Sequence, residues 1–265
     1  MLKHTILFAA VAGLVLALAG TAGAAIIIDS SYTGTLSGQG GGYTITVPVS
    51  FDASGSDKLV VMTGNRGSGG SIYGKSLTGI TYGTTPMVAA VNARNYAVSP
   101  NPDGEAVVGI YYLDNPGAAT TLTISYSAKM DTSGGYTLLA LSGTADGVGA
   151  TNATVTGVYP DTYTSASTSL TTTGANSLVL AVAAANRHNP NPVSPLDSSI
   201  DGGGSTYGAG YQFVATPSAV TPTFSMAAAY MPLVAAAEFT VLPEPATLAL
   251  LGLGGLGLIL RRKRK

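Results

Sequence analysis

The sequence contains no cysteine and no tryptophan among its 265 residues. Without cysteine the chain cannot form disulfides, thiolate metal sites or a cysteine nucleophile. Two histidines are present, and only His188 lies beyond the first 25 residues, so a site built on several histidines is excluded as well. Charged residues make up 9% of the chain, against roughly 25% in an average soluble protein. A folded domain of this composition must rely on apolar packing and sheet pairing.

The charges that are present are unevenly distributed along the chain. All thirteen Asp and Glu residues lie between Asp29 and Glu244, whereas half of the twelve Lys and Arg residues lie in the leader or in the last five positions. The long middle part of the chain is therefore acidic. An acidic domain repels phosphate backbones, so we predict no nucleic-acid partner.

Apolar residues occur in short stretches separated by Gly, Ser, Thr, Asn and Pro. Residues 59–62, 106–111 and 178–182 are continuous apolar runs of strand length, typical of central strands buried on both faces. Between the two termini no run reaches the ~18 apolar residues of a membrane helix. We therefore predict an all-β fold over residues 26–240, a two-sheet, jelly-roll-like sandwich of ten to twelve strands, with helix only in the two terminal segments.

Local patterns predict individual features of this sandwich. Residues 43–51 and 121–126 alternate apolar and polar side chains, as half-buried strands do. Pro48 cannot donate a backbone hydrogen bond, so the first of these strands should lie at a sheet edge. Residues 80–87 predict a hairpin, and the Asp-Asn-Pro-Gly sequence at 114–117 predicts a turn.

The N-terminus has the organisation of a secretory signal peptide. Lys3 supplies a positive charge ahead of an apolar stretch, and small residues follow at Ala22 and Ala24. We predict a signal peptide over residues 1–25, cleaved by signal peptidase after Ala24 or Ala25. The mature protein would then be exported.

The C-terminus combines three elements within 25 residues. Pro243, Glu244 and Pro245 precede an apolar segment, residues 246–260. As a helix this segment would rise ~22 Å, which is short of a ~30 Å hydrocarbon core. Five basic residues, which favour the cytoplasmic side of a membrane, end the sequence: Arg261, Arg262, Lys263, Arg264 and Lys265.

This three-part tail resembles the PEP-CTERM sorting signal. The resemblance covers about the last 23 residues, and proteins of that class also begin with a signal peptide. It implies recognition at the membrane by an exosortase-type enzyme, removal of the tail, and a place at the surface of a bacterial envelope, often where exopolysaccharide is made. A sortase signal would need Leu-Pro-x-Thr-Gly, but Pro245 and Ala246 follow Glu244. A permanent membrane anchor is the alternative.

The residues between the termini contain no recognisable catalytic motif. Gly-x-Ser-x-Gly and Ser-x-x-Lys are absent, and no spacing of acidic residues fits a calcium loop. A glycoside hydrolase needs two carboxylates at a set separation. Asp103 with Glu105, or Asp197 with Asp201, could form such a pair, but both pairs lie in polar loops where solvated carboxylates are expected. We therefore predict no catalytic residue, no cofactor and no metal.

One recurring pattern predicts a ligand site. Arg66, Arg94 and Arg187 each follow an apolar run and have an asparagine close before them. If the three strands point the same way, the arginines would form one rim, which would suit carboxylate or sulfate groups of an acidic polysaccharide. The loops after Arg94 and Arg187 are also similar, which suggests an internal duplication.

Taken together, the sequence predicts an exported, non-catalytic envelope or extracellular-matrix protein that is sorted through its tail. A polysaccharide-binding module and a carbohydrate-active enzyme are the alternatives. Residues 77–83 and 110–117 are similar to β-sandwich ectodomains of exported bacterial proteins, a resemblance that implies no particular activity.

Overall fold

The apolar runs of the sequence form the two inner layers of a four-layered stack of antiparallel strands. A computed structural model describes residues 25–36, 44–66, 76–95, 106–127, 133–157, 161–186, 188–200 and 206–242. Residues Ile26–Val241 form one unit. Within the described residues the regular elements are strands and no helix is present. These residues therefore contain no helix that could cross a membrane.

The first half of the body contains nine strands. They are β1 (Ile27–Thr35), β2 (Thr44–Pro48), β3 (Lys58–Arg66), β4 (Leu77–Tyr82), β5 (Thr85–Pro86), β6 (Val88–Arg94), β7 (Ala106–Asp114), β8 (Thr121–Tyr126) and β9 (Gly135–Ser142). An inner sheet with the order β1-β9-β3-β7-β6 faces an outer sheet with the order β2-β8-β4-β5. Leu59 and Val61 of β3 pack against Ile80 and Ile124 of the outer sheet.

The second half contains eight further strands. They are β10 (Thr151–Val155), β11 (Thr162–Ser167), β12 (Leu170–Thr171), β13 (Ser177–Asn186), β14 (Asn191–Pro192), β15 (Tyr207–Val214), β16 (Ala219–Val220) and β17 (Thr223–Phe239). The inner sheet has the order β10-β17-β13-β15. The first part of β17 pairs with β11 and β14 in the outer layer, and its second part pairs with β10 and β13. Ala228 and Met231, both with positive φ, lie where the strand passes between the layers.

The two halves repeat one topology. In the inner sheets, β10, the second part of β17, β13 and β15 take the places of β1, β9, β3 and β7. In the outer layers, β11, the first part of β17 and β14 take the places of β2, β8 and β4. The strand pairing is therefore duplicated, but not between the segments that the sequence suggested: the equivalent of β13 is β3, which ends at Arg66, and not β6, which ends at Arg94.

Stacked inner sheets explain the continuous apolar runs. Val60 and Met62 of β3 face Leu180 and Val182 of β13 across the middle of the stack. The alternate residues of each strand face an outer layer, as Val179 of β13 does in the second half. Both faces of β3 and β13 are thus buried, and the runs 59–62 and 178–185 within these strands contain only apolar residues.

The predicted all-β, sandwich-like fold is confirmed, with more layers and strands than expected. Within the described residues there are seventeen strands, because the sandwich is doubled and because four strands are only two residues long. The edge position of Pro48 is confirmed, since among the described strands β2 pairs only with β8. The hairpin at 80–87 is confirmed too, and the chain bends at Asn115, where the sequence predicted a turn. The predicted terminal helices lie outside the described residues.

Strand directions give the body two different ends. At the tail-exit end, β3 begins and β17 finishes, and Ile27 pairs there with Ser142 while Thr144 pairs with Val241. The chain therefore enters and leaves the body at the same end. The opposite end, where β3, β6 and β13 finish, is called the arginine end.

Candidate functional site

The tail-exit end is held together by one buried carboxylate. Glu238, on the second part of β17, is 0% exposed. It accepts hydrogen bonds from the backbone N–H groups of Ala150 (2.9 Å), Thr173 (2.9 and 3.0 Å to its two oxygens) and Gly174 (2.9 Å), and from the Thr173 hydroxyl (3.0 Å). A Cβ at Gly149 would lie 2.4 Å from Glu238 Oε2, so the loop needs glycine there. Glu238 thereby ties the last strand to two loops.

The environment of Glu238 keeps it ionised. Burial alone raises the pKa of this carboxyl, but the backbone donors of Ala150, Gly174 and Thr173 together with the Thr173 hydroxyl outweigh burial and lower the pKa below its ordinary value of 4.5. These bonds form to the charged carboxylate, so they are stronger than neutral ones. The arrangement is a structural clamp, because all of its donors belong to the body itself.

A second charged contact lies at the same end. The Lys58 ammonium is buried, donates to Asp114 and lies 4.7 Å from the centre of the Tyr112 ring. Asp114 also accepts a bond from the backbone of Gly147, at 3.4 Å. The contact joins β3 and β7 to the loop that runs beside the last strand, so Lys58 is used in the structure of the body.

Two of the three predicted arginines lie at the arginine end. Arg66 ends β3 and Arg94 ends β6, with β7 between them. Arg66 Nη1 donates to Asn186 Oδ1 at 3.0 Å, which links the two halves. Arg94 is exposed. Arg187 lies outside the described residues, so the rim of three arginines stays a prediction.

Buried asparagines beside the predicted arginines are structural parts of this end. Asn65 and Asn186 are buried where β3 and β13 finish. Asn95, also buried, accepts a bond from the Ala106 backbone and donates to the Met231 carbonyl, which joins the first half to the bend in β17. The sequence pattern predicted a ligand site formed by the arginines. Asn95 can join two segments because a buried amide both donates and accepts.

The other predicted site residues are only partly described. Asp197 accepts from the Ser199 backbone (2.8 Å) and from the Tyr211 hydroxyl (3.1 Å), while its suggested partner Asp201, with Asp103 and Glu105, lies outside the described residues. Over the part of the chain that the structure covers, no group of three or more His, Asp or Glu side chains could hold a metal ion. Ala25 is exposed just before Ile26. Further predicted positions fall outside the described residues: Ala22, Ala24, Pro243, Glu244, Pro245 and the basic residues 261–265.

Comparison with known families identifies the segment that leaves the body. Residues 241–265 match the family model described as the PEP-CTERM protein-sorting motif. The chain carries a PEP-CTERM motif. This motif supports sorting by an exosortase to the cell exterior, with processing at the membrane. No curated protein matches the chain.

The PEP-CTERM motif begins within the folded body. Val241, its first residue, pairs with Thr144, and the Thr240 carbonyl accepts a bond from the Ala145 backbone at 2.9 Å. Pro243 follows only two residues later, a span of at most about 7 Å. Only Phe239 and Thr240 therefore separate Glu238 from the first residue of the sorting motif.

Proposed function

We propose that this chain is a non-catalytic envelope or extracellular-matrix protein, whose PEP-CTERM motif delivers a rigid double sandwich to the cell surface. The observation that carries the proposal is the direct continuity between the sorting motif and the last strand of the body. The buried charges of the described residues also support it. Glu238 and Lys58 bond to groups of the body, which is how side chains used for structure behave.

Processing of the tail is the first test of this function. In cells that contain the exosortase, we expect mature protein that ends near Pro243–Ala246 and lacks the basic residues 261–265. Replacing Pro243, Glu244 and Pro245 together with alanine should leave full-length chain, because the recognition element is lost while the apolar segment remains. Mass spectrometry of the intact protein measures both products.

Two outcomes would count against this account of the tail. One is wild-type protein that keeps Lys265 in cells where another PEP-CTERM protein is processed. The other is normal processing of the triple-alanine variant. Replacing Thr240 alone with valine, just before the motif, provides a control that should be processed like wild type.

Binding of an anionic glycan at the arginine end is a second candidate function. It is favoured by the position of Arg66 and Arg94 at the end farther from the points where the chain enters and leaves the body. An acidic protein that binds an acidic polymer needs a local positive patch. Dense display at the surface would supply avidity for a weak individual contact.

The arginine proposal predicts binding that depends on salt. We expect retention on alginate, a polyuronate, to weaken as salt rises, because exposed charge pairs are screened beyond ~8 Å at ~0.15 M. Replacing Arg94 and Arg187 with alanine should abolish retention while leaving the Arg66–Asn186 contact in place. Affinity electrophoresis gives the measurement, and a gel without polymer is the control. Retention that is the same in the variant and in wild type would reject this site.

A further inference from the structure

An uncharged groove opens at the side of the first half, between β4 and β6. Its volume is about 530 Å3. Ile80, Met87 and the ring of Tyr111 give it apolar walls. Three hydroxyl side chains also line it: Thr78, Thr81 and Ser125. No charged side chain is among the lining residues, although the protein is acidic overall.

The amide of Asn92 is held in one orientation in this groove. Its Nδ2 donates to the Leu77 carbonyl at 2.7 Å and to the Tyr111 hydroxyl at 3.0 Å. Both amide hydrogens are thereby used. Among the described residues, none donates to Asn92 Oδ1, so this oxygen is a fixed acceptor that a ligand can use.

The Tyr111 hydroxyl complements that acceptor. Because its oxygen accepts the bond from Asn92, its own hydrogen can be donated to another group. Burial raises the pKa of Tyr111, with the bond from Asn92 acting in the opposite direction. The phenol therefore stays protonated at neutral pH and remains a donor.

We propose that the groove between β4 and β6 binds a neutral polyhydroxylated ligand, a segment of an uncharged polysaccharide. A sugar hydroxyl both donates and accepts, which matches the adjacent acceptor of Asn92 and donor of Tyr111. The C–H faces of a sugar ring suit the apolar walls formed by Ile80, Met87 and Tyr111. The absence of charge from the lining argues against an ionic ligand. This inference rests on the proposed non-catalytic function in one respect, which is that the polymer is bound and not cleaved.

Gly79 offers a way to fill the groove without disturbing the fold. It lines the groove, and a Cβ built on it meets no atom within 4 Å. Its φ lies outside the left-handed region, and a β-branched residue suits a strand. We expect Gly79→Val to reduce affinity for the polymer at least about tenfold. Gly117, also open to 4 Å and outside the lining, provides the matched control, and Gly117→Val should bind like wild type.

Tyr111→Phe removes the hydroxyl that can donate to the ligand and that accepts from Asn92, while the ring and the apolar wall stay in place. Loss of one hydroxyl that bonds the ligand should reduce affinity about fivefold to tenfold. Circular dichroism and thermal unfolding identify the variants that keep the wild-type secondary structure, and only these variants are compared. Gly79→Val and Tyr111→Phe alter different parts of the groove, so one variant can fail to fold without removing the test.

The experiment is affinity electrophoresis of the full chain in mild detergent, through gels that contain dextran, laminarin or galactan, three neutral polysaccharides. We expect retardation by at least one of them, unchanged by salt, lost in Gly79→Val and kept in Gly117→Val. Three results would each overturn the proposal that the groove binds the polymer. They are retardation by none of the three polymers, equal retardation of Gly79→Val and wild type, and retardation that disappears with salt. Size chromatography of the recovered polymer distinguishes the groove site from the non-catalytic function. If retardation depends on the groove but the polymer is shortened, the non-catalytic function is contradicted and the binding site is not.

Discussion

Replacing Glu238 with alanine is expected to lower the free energy of unfolding of the purified protein by about 4 kcal/mol. The variant removes a carboxylate that accepts bonds from three backbone N–H groups and one hydroxyl. These buried donors would be left without an acceptor, at a cost of about 1–3 kcal/mol for each unsatisfied group. Denaturant unfolding followed by circular dichroism measures the change.

Glu238→Gln is the matched comparison for this prediction. It keeps the shape and one carbonyl oxygen, but directs an NH2 group toward backbone donors, so its stability should fall between alanine and wild type. A Glu238→Ala protein within about 0.5 kcal/mol of wild type, the range usual for surface changes, would contradict the clamp.

Lowering the pH should weaken the contribution of Glu238 to the free energy of unfolding. Since the folded pKa of Glu238 lies below its ordinary 4.5, its contribution is fully present above about pH 4.5 and is lost as pH falls through the folded pKa. The difference in stability between wild type and Glu238→Gln should therefore shrink between pH 5 and pH 2. Comparing the two proteins cancels the shared effects of the other acids. A difference that stays constant across this range would show that the charge is not what Glu238 contributes.

Replacing Gly208 with alanine is expected to destabilise the second half by about 3 kcal/mol, at the upper end of overpacking effects. A Cβ at Gly208 would lie 1.9 Å from the carbonyl oxygen of Pro190 and 2.9 Å from its carbon. These are backbone atoms of the segment that leads into β14, so no side-chain rotation can relieve the contact. The thermal midpoint and the denaturant midpoint should both fall.

Gly79→Ala is the control for Gly208→Ala, because it makes the same change in another strand. Nothing lies within 4 Å of a Cβ at Gly79, so this variant should unfold within about 0.5 kcal/mol of wild type. Equal losses in the two variants would indicate that glycine matters at both sites for its backbone freedom and not for the close approach of Pro190.

The strands were largely predictable from the sequence, since each leaves its own local pattern. The edge position of β2 follows from one residue, Pro48, whose missing N–H is independent of the rest of the fold. The burial of β3 and β13 follows from runs without a polar position. The number of layers could not be obtained this way, because an apolar run shows that both faces are covered but not by which sheet.

The sites were less predictable, because they depend on residues that are distant in sequence. Asn95 and Met231 are 136 positions apart, and no local pattern relates them. Glu238 does leave a signal, as the one acidic residue inside the apolar run 233–239. Its partners in two other loops leave none. The groove beside Asn92 forms where two sheet edges meet, and the sequence of neither edge predicts it alone.

The repeated topology has a consequence for how the two halves are kept together. A single half would bury one face of its inner sheet and leave the other, equivalent to Val60 and Met62 of β3, as a broad apolar surface. Such a chain would associate with itself through that face, as homodimers do. With both halves on one chain the encounter is intramolecular, so assembly does not depend on protein concentration. The two inner sheets cover each other as two subunits would, and the segment between Ser142 and Thr151 keeps them together.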